Sequence, residues 1–147
     1  MFTVYLDTSV ISALDDPRVP DFQKISRTYL AKAKYSAALH VSRIVITEIR
    51  DAKPIRAKQM ENWVSQKNII LLPDHDVIPA LAQAYIDKQV LPKNSIADAF
   101  HLAFATHYCM DYLLSWNFKH LVNENRIEAF RQFNFKMGLA IPKIVTP

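Results

Sequence analysis

The sequence predicts an α/β fold, a three-layer doubly wound parallel sheet of about five strands flanked by helices. Three observations carry this. Short apolar, β-rich runs alternate with longer segments of helical periodicity along the chain. The stretches between successive strand-like runs can hold a helix, which a right-handed crossover between parallel neighbours requires. The first run, Phe2 to Leu6, is apolar throughout, as a central strand is when both faces are covered.

The elements follow in order. After the Phe2 to Leu6 strand, Pro17 and Pro20 punctuate the chain. Phe22 to Leu39 then sets Phe22, Ile25, Tyr29, Leu30 and Ala33 at helical spacing among Lys and Arg, an amphipathic helix with a basic face. Leu39 to Val41 suits a short second strand. Ser42 then caps a helix running through Val45, Ile46, Glu48 and Ile49 toward Ala52, or else Val41 to Thr47 forms one longer strand; both readings leave Glu48 near the second strand's C-terminal end. Ile55 to Gln66 reads as a helix, Ile69 to Leu72 as a third strand stopped by Pro73, and Asp76 to Gln89 as a helix. Ser95 to Tyr108 is a helix with an apolar face of Ile96, Ala99, Phe100 and Ala103. Tyr112 to Ser115 is the fourth strand, Leu121 to Phe133 a helix, and Ala140 to Val145 the last strand.

Composition narrows the function. A chain of 147 residues, half of them hydrophobic, suits one domain spanning residues 1–147 with its own core. Gly138 is the only glycine, which excludes the dinucleotide-binding turn and the Walker phosphate loop, since both need several. The lone Cys109 cannot form an internal disulfide and lies in an apolar helical stretch, so a buried structural thiol in a reducing compartment is expected. The N-terminal run has no basic leader and stops at Asp7, which points to a soluble, cytoplasmic protein without a membrane span. A formal net charge of +4 permits an RNA partner without requiring one.

In doubly wound sheets the ligand sits beyond the C-terminal ends of the strands, where strand order reverses. Asp7 follows the first strand, Glu48 lies near the end of the second, and Asn117 comes just after the fourth, in Leu113-Leu-Ser-Trp-Asn117. Asp98 joins them from the first turn of the helix preceding the fourth strand. Clustered carboxylates repel and raise one another's pKa, so something cationic must offset them. As hard oxygen ligands they suit Mg²⁺ or Mn²⁺, and no Cys/His spacing for zinc competes. Such an ion can polarise a phosphoryl oxygen and activate water against a phosphodiester.

Each residue also has a plain structural role available. Asp7 can cap the helix that follows. Ser95-x-x-Asp98 matches a capping box, and an acid in the first turn suits the helix dipole. Glu48 can be a solvated surface acid, Asn117 a turn residue, and His101, one turn past Asp98, a packed or capping histidine.

Four segments in order, Tyr5-Leu-Asp7-Thr-Ser-Val-Ile11, Ile46-Thr-Glu48-Ile, Ile96-Ala-Asp98-Ala-Phe-His-Leu-Ala103 and Leu113-Leu-Ser-Trp-Asn117-Phe, together resemble the PIN-domain family. That family includes the VapC-like toxins of prokaryotic toxin–antitoxin pairs, and the resemblance runs from Thr3 to Val145. It implies a PIN-like doubly wound fold and a Mg²⁺- or Mn²⁺-dependent endoribonuclease. It puts the first metal-binding aspartate at Asp7, the helix glutamate at Glu48 and the third acid at Asp98. The fourth acidic position falls on Asn117, where many relatives carry Asp, so a second metal subsite is weaker or relies on water. Ser115 matches a Ser/Thr position that hydrogen-bonds the carboxylates, and Thr8 and Ser9 can orient Asp7 in the same supporting way. The resemblance further implies an RNA substrate, an antitoxin protein as partner, and a homodimer.

A haloacid-dehalogenase-like phosphatase also begins with an aspartate after the first strand, but needs a second acid two residues on, where this chain has Ser9. A response-regulator receiver domain shares the fold class and Mg²⁺ and stands as a third choice, since it needs an acidic pair before strand-end phosphoacceptor and lysine positions that this sequence does not let one place. The remaining alternative is a PIN-like scaffold that binds RNA or a protein partner without cutting, and Asn117 is the feature that favours it.

Overall fold

The computed structural model describes every residue except Lys67. Its centre is a sheet of five strands, all parallel, in the order β3-β2-β1-β4-β5: β1 (Phe2–Leu6), β2 (Ala37–Val41), β3 (Ile70–Leu71), β4 (Tyr112–Leu114) and β5 (Lys143–Val145). Among the described residues seven helices flank it: α1 (Thr8–Ala13), α2 (Pro20–Ala33), α3 (Arg43–Arg50), α4 (Pro54–Gln66), α5 (Val77–Asp87), α6 (Ile96–His107) and α7 (Glu124–Lys136). The doubly wound parallel architecture expected from the sequence is the one observed.

The chain lays β1, β2 and β3 outward to one side, then returns to place β4 and β5 on the other. Strand order therefore reverses between β1 and β4, whose register pairs Tyr5 with Leu113 and Leu6 with Leu114. Val4, Tyr5 and Leu6 are all buried, as a strand covered on both faces requires. The largest fully buried side chains, Tyr5, Tyr85, Phe104 and Phe130, come from β1, α5, α6 and α7, so one core spans the sheet and its helices. Inside it, the Tyr85 hydroxyl, the Thr106 hydroxyl and the Asn134 amide bond one another at 2.9–3.1 Å, satisfying polar atoms that burial would otherwise penalise.

Several boundaries differ from the sequence reading. The helix expected to reach Leu39 stops at Ala33, because residues 37–40 are taken by pairing with β1, and that pairing outweighs helical periodicity. The longer strand from Val41 to Thr47 does not form: Ser42 Oγ accepts from the Ile44 amide and starts α3. The last helix begins later than Leu121, at Glu124, where the Asn123 side chain caps it by accepting from the Asn125 and Arg126 amides. The final strand is confined to Lys143–Val145, and the helix that Asp7 can cap is α1, six residues long, with Asp7 as its N-cap.

Cys109 is not buried. It is exposed, just past the end of α6, with φ 50°. There the Cys109 amide bonds Thr106 O and the Met110 amide bonds Ala105 O, the paired bonds that close a helix C-terminus through a left-handed residue. Among the described residues no helix is long and apolar enough to cross a membrane.

Candidate active site

The reversal point is where the site forms. Asp7 is the first residue beyond β1, and its amide bonds Leu114 O of β4 at 3.1 Å, which ties it to the neighbouring strand's end. Its carboxylate is buried and fully engaged. Oδ1 accepts from the Ser9 amide (2.9 Å), the Ser9 hydroxyl and, at 3.4 Å, the Val10 amide, while Oδ2 accepts from the Ser115 hydroxyl at 2.6 Å. The capping role and the site role thus coincide in one carboxylate. Burial raises its pKa; His101, Ser115 and Ser9 pull against that shift without cancelling it. The cause is desolvation, not the mutual repulsion of acids expected from the sequence.

Glu48 projects from α3 and is less enclosed. Its Oε1 accepts from the Thr8 hydroxyl at 2.8 Å and meets His101 Nε2 at 2.7 Å. Thr8 therefore supports Glu48, not Asp7, because its side chain leaves the first turn of α1 toward α3; Ser9 alone of the pair orients Asp7. Burial pushes the Glu48 pKa up, but the His101 and Thr8 contacts outweigh it and hold the carboxyl below its ordinary range.

His101, from α6, links these groups. Its Nδ1 lies 2.7 Å from the Tyr5 hydroxyl, which in turn lies 2.7 Å from Ser42 Oγ, so a buried chain runs Glu48, His101, Tyr5, Ser42. Burial disfavours the charged imidazole, yet the Glu48 bond and the negative fields of Asp7, Glu48 and Asp98 raise its pKa above the ordinary value. Three carboxylates from three elements thus act on one buried histidine. Tyr5 stays protonated, its pKa raised by burial.

Asp98 is held differently. Its Oδ1 accepts from Asn117 Nδ2 at 3.1 Å, and its Oδ2 lies 2.9 Å from His120 Nδ1. The capping box does not form: Ser95 makes no side-chain cap bond, and its hydroxyl lies 3.1 Å from His120 Nδ1 instead. Asn117 Oδ1 accepts from the His120 amide at 3.0 Å, so this side chain both shapes the turn after β4 and tethers Asp98. Ser115, beyond bonding Asp7, accepts from the Asn117 amide at 2.9 Å.

The structure brings Asp7, Ser9, Ser115, Asp98 and Asn117 together at the ends of β1 and β4, with Glu48 and Thr8 joined through His101. Sequence reasoning missed His120 and Tyr5. Tyr5 offered only the pattern of a buried strand residue, and His120 only its place three residues beyond Asn117.

An all-oxygen set of carboxylates with one amide suits Mg²⁺ or Mn²⁺ in chemical kind, and a carboxylate oxygen that accepts one hydrogen bond keeps a second lone pair. Among the described residues no three His, Cys, Asp or Glu side chains converge closely enough to enclose a metal ion. Both oxygens of Asp7 and both of Asp98 already have hydrogen-bond partners, so an ion gathering the three acids would share or displace those contacts.

No protein-family model matches the chain, and no curated protein matches it in sequence. Solved structures do match in shape. VapBC2 from Rickettsia felis, bound to a DNA fragment from its promoter, aligns with TM-score 0.62 at 12% identity over 98% of this chain and 97% of that one. VapC20 from Mycobacterium tuberculosis, a toxin that cleaves the sarcin-ricin loop, aligns with TM-score 0.59 at 15% identity over 78% of this chain and 92% of that one. FitAcB from Neisseria gonorrhoeae aligns with TM-score 0.53 at 15% identity over 98% and 96%. Identities this low carry the architecture and not the chemistry. The chain has the PIN-like α/β fold of these structures.

Proposed function

We propose that this chain is a metal-dependent endoribonuclease that hydrolyses RNA phosphodiester bonds as the toxin of a toxin–antitoxin pair. The observation that supports it best is the placement of Asp7, Glu48 and Asp98 around buried His101 at the point where strand order reverses. The structures of like fold agree with that reading, VapC20 among them being a toxin that cleaves the sarcin-ricin loop. Asp7, Glu48 and Asp98, with Asn117 as a neutral fourth ligand, would hold Mg²⁺ or Mn²⁺, and a bound ion would neutralise the scissile phosphate and activate water for in-line attack. The chain's own residues prepare the site: Ser9 and Ser115 fix Asp7, Thr8 and His101 fix Glu48, and Asn117 and His120 fix Asp98. An antitoxin protein and a second copy of the chain complete the expected assembly.

The test is cleavage of labelled RNA by purified protein with Mg²⁺ or Mn²⁺ and with EDTA. Cleavage that tracks the protein's chromatographic peak and stops in EDTA supports the reading. Cleavage that persists in EDTA overturns the metal dependence. No cleavage with either ion turns the assignment to a non-cutting scaffold, the reading that the engaged Asp98 and neutral Asn117 favour.

A further inference from the structure

Asn117 stands between two aromatic residues, and both belong to one stack. Trp116 lies flat on Phe22 of α2, ring centroids 4.1 Å apart and planes 8° apart. Phe118 leans on both, 6.0 Å from Phe22 and 6.2 Å from Trp116. The Trp116 indole is fixed, its Nε1 donating to the buried Ser26 hydroxyl at 2.8 Å, and its backbone amide donates to Ser9 Oγ at 2.8 Å. Phe118, by contrast, is 49% exposed.

A single exposed phenylalanine is ordinary on a protein surface. This one ends a rigid aromatic stack that is joined to the acidic residues on two sides. Ser9, which receives the Trp116 amide, also bonds Asp7, and Asn117, which precedes Phe118, bonds Asp98. The next residue, Lys119, is exposed and cationic.

We propose that Phe118, backed by Phe22 and Trp116, is a stacking platform for one unpaired base of the RNA, beside the phosphate to be cut; this rests on the ribonuclease reading above. Every nucleobase has a π face, so an aromatic surface grips single strands with little regard to sequence. In a duplex that face is already covered, so the platform selects loops and single strands. Lys119 supplies a positive charge for the backbone of the same strand. The position favours a nucleic acid over a protein partner, because a strand whose phosphate reaches Asp7 and Asp98 must place a neighbouring base within a residue or two of Asn117.

The experiment measures binding apart from cleavage. In EDTA, a fluorescein-labelled single-stranded oligoribonucleotide is titrated with wild type, Phe118→Ala and Phe118→Tyr, following anisotropy and tryptophan fluorescence. Stacking on an aromatic is worth about 1–3 kcal/mol per base, so Phe118→Ala should weaken binding by about 5- to 150-fold. Phe118→Tyr should bind as wild type, and tryptophan quenching by RNA should disappear with the alanine variant. Duplex RNA of the same sequence should bind all three proteins alike. Equal single-strand affinity for wild type and Phe118→Ala overturns the platform, as does a variant that keeps RNA affinity but loses self-association or a protein partner. The two readings fail separately: RNA held through Phe118 but never cut with Mn²⁺ keeps the platform and ends the nuclease, whereas cutting with unchanged affinity does the reverse.

Discussion

His101 Nε2 lies 2.7 Å from Glu48 Oε1 with the histidine side chain 2% exposed and the glutamate side chain 38% exposed, so the pair is open to solvent at one end only. Asp7 and Asp98 add their fields to the same imidazole. Their fields favour the protonated imidazole, so this histidine is placed to offset the carboxylate cluster.

A stability profile follows from the pKa directions. His101 is raised above 6.5, against its burial, by Glu48 and the surrounding carboxylates, so folding favours its protonated form. That contribution is complete below the unfolded value and is lost as pH climbs through the folded one. Asp7, raised above 3.8 by burial, has the same sign, its contribution present in acid and lost on the way up. Glu48, lowered, acts oppositely, but its loss falls on the acid side of 4.5. Urea denaturation in EDTA should therefore show stability falling as pH rises past the ordinary histidine value, and His101→Gln should flatten that slope. A wild-type slope of zero or rising sign across the range would show that His101 is neutral in the folded protein.

Asp7 separates charge from capping. Asn keeps an acceptor for the Ser9 and Val10 amides and can donate to Ser115, so Asp7→Asn retains the cap while removing a buried charge. It should abolish cleavage and leave the metal-free melting temperature equal or higher. Asp7→Ala loses the cap as well and should cost about 1 kcal/mol, or about 2–4 °C in a domain of this size. Thermal melts in EDTA check both. A large loss of melting temperature in Asp7→Asn would mean that the charge itself holds the end of β1 in place.

Most of the architecture was legible because apolar periodicity and strand length are local properties, and β1, α4 and α6 lie close to where the sequence put them. Boundaries set by distant partners were not. Residues 37–39 continue a helical pattern, and only their pairing with Phe2 to Val4 makes them strand. Asp7 and Glu48 were found through their positions near strand ends, since topology carries those ends to one edge, whereas Asp98, in the first turn of α6, was singled out by the resemblance. Ser9 and Ser115 bond Asp7 as the sequence suggested, but Thr8 to Glu48 and His120 to Asp98 were not legible, because they depend on which way side chains leave turns that no spacing rule fixes.

Cys109 gives a test of local backbone strain. At φ 50° an L residue with a Cβ is disfavoured, and glycine is the common occupant at this position past a helix end. Among the described residues the exposed thiol makes one hydrogen bond, a weak 4.0 Å approach to His107 O, so little bonding is lost with it. Cys109→Gly should raise stability by up to about 1 kcal/mol, and Cys109→Val should lower it, since a β-branched residue suits that backbone least. Denaturation midpoints of the two variants decide it. Equal midpoints would mean that the segment after α6 relaxes around any residue.

Asn117 is the test of the fourth ligand position. In the metal-free protein its amide nitrogen donates to Asp98 at 3.1 Å, so Asn117→Asp replaces an attraction with two facing carboxylates. Melting temperature in EDTA should fall. Added Mg²⁺ should restore it and more, because a cation that binds the folded protein stabilises it by mass action and the new charge tightens binding. Cleavage should then appear at lower Mg²⁺ than in wild type. Asn117→Ala removes both the Asp98 donor and the acceptor for the His120 amide; loss of such an orienting contact slows metal enzymes by about 10- to 100-fold, and no added Mg²⁺ should recover the rate fully. Melting curves and cleavage rates across Mg²⁺ concentrations separate the two variants. If Asn117→Asp melts alike with and without Mg²⁺ and Asn117→Ala cuts at the wild-type rate, this residue only shapes the turn after β4 and the fourth ligand lies elsewhere.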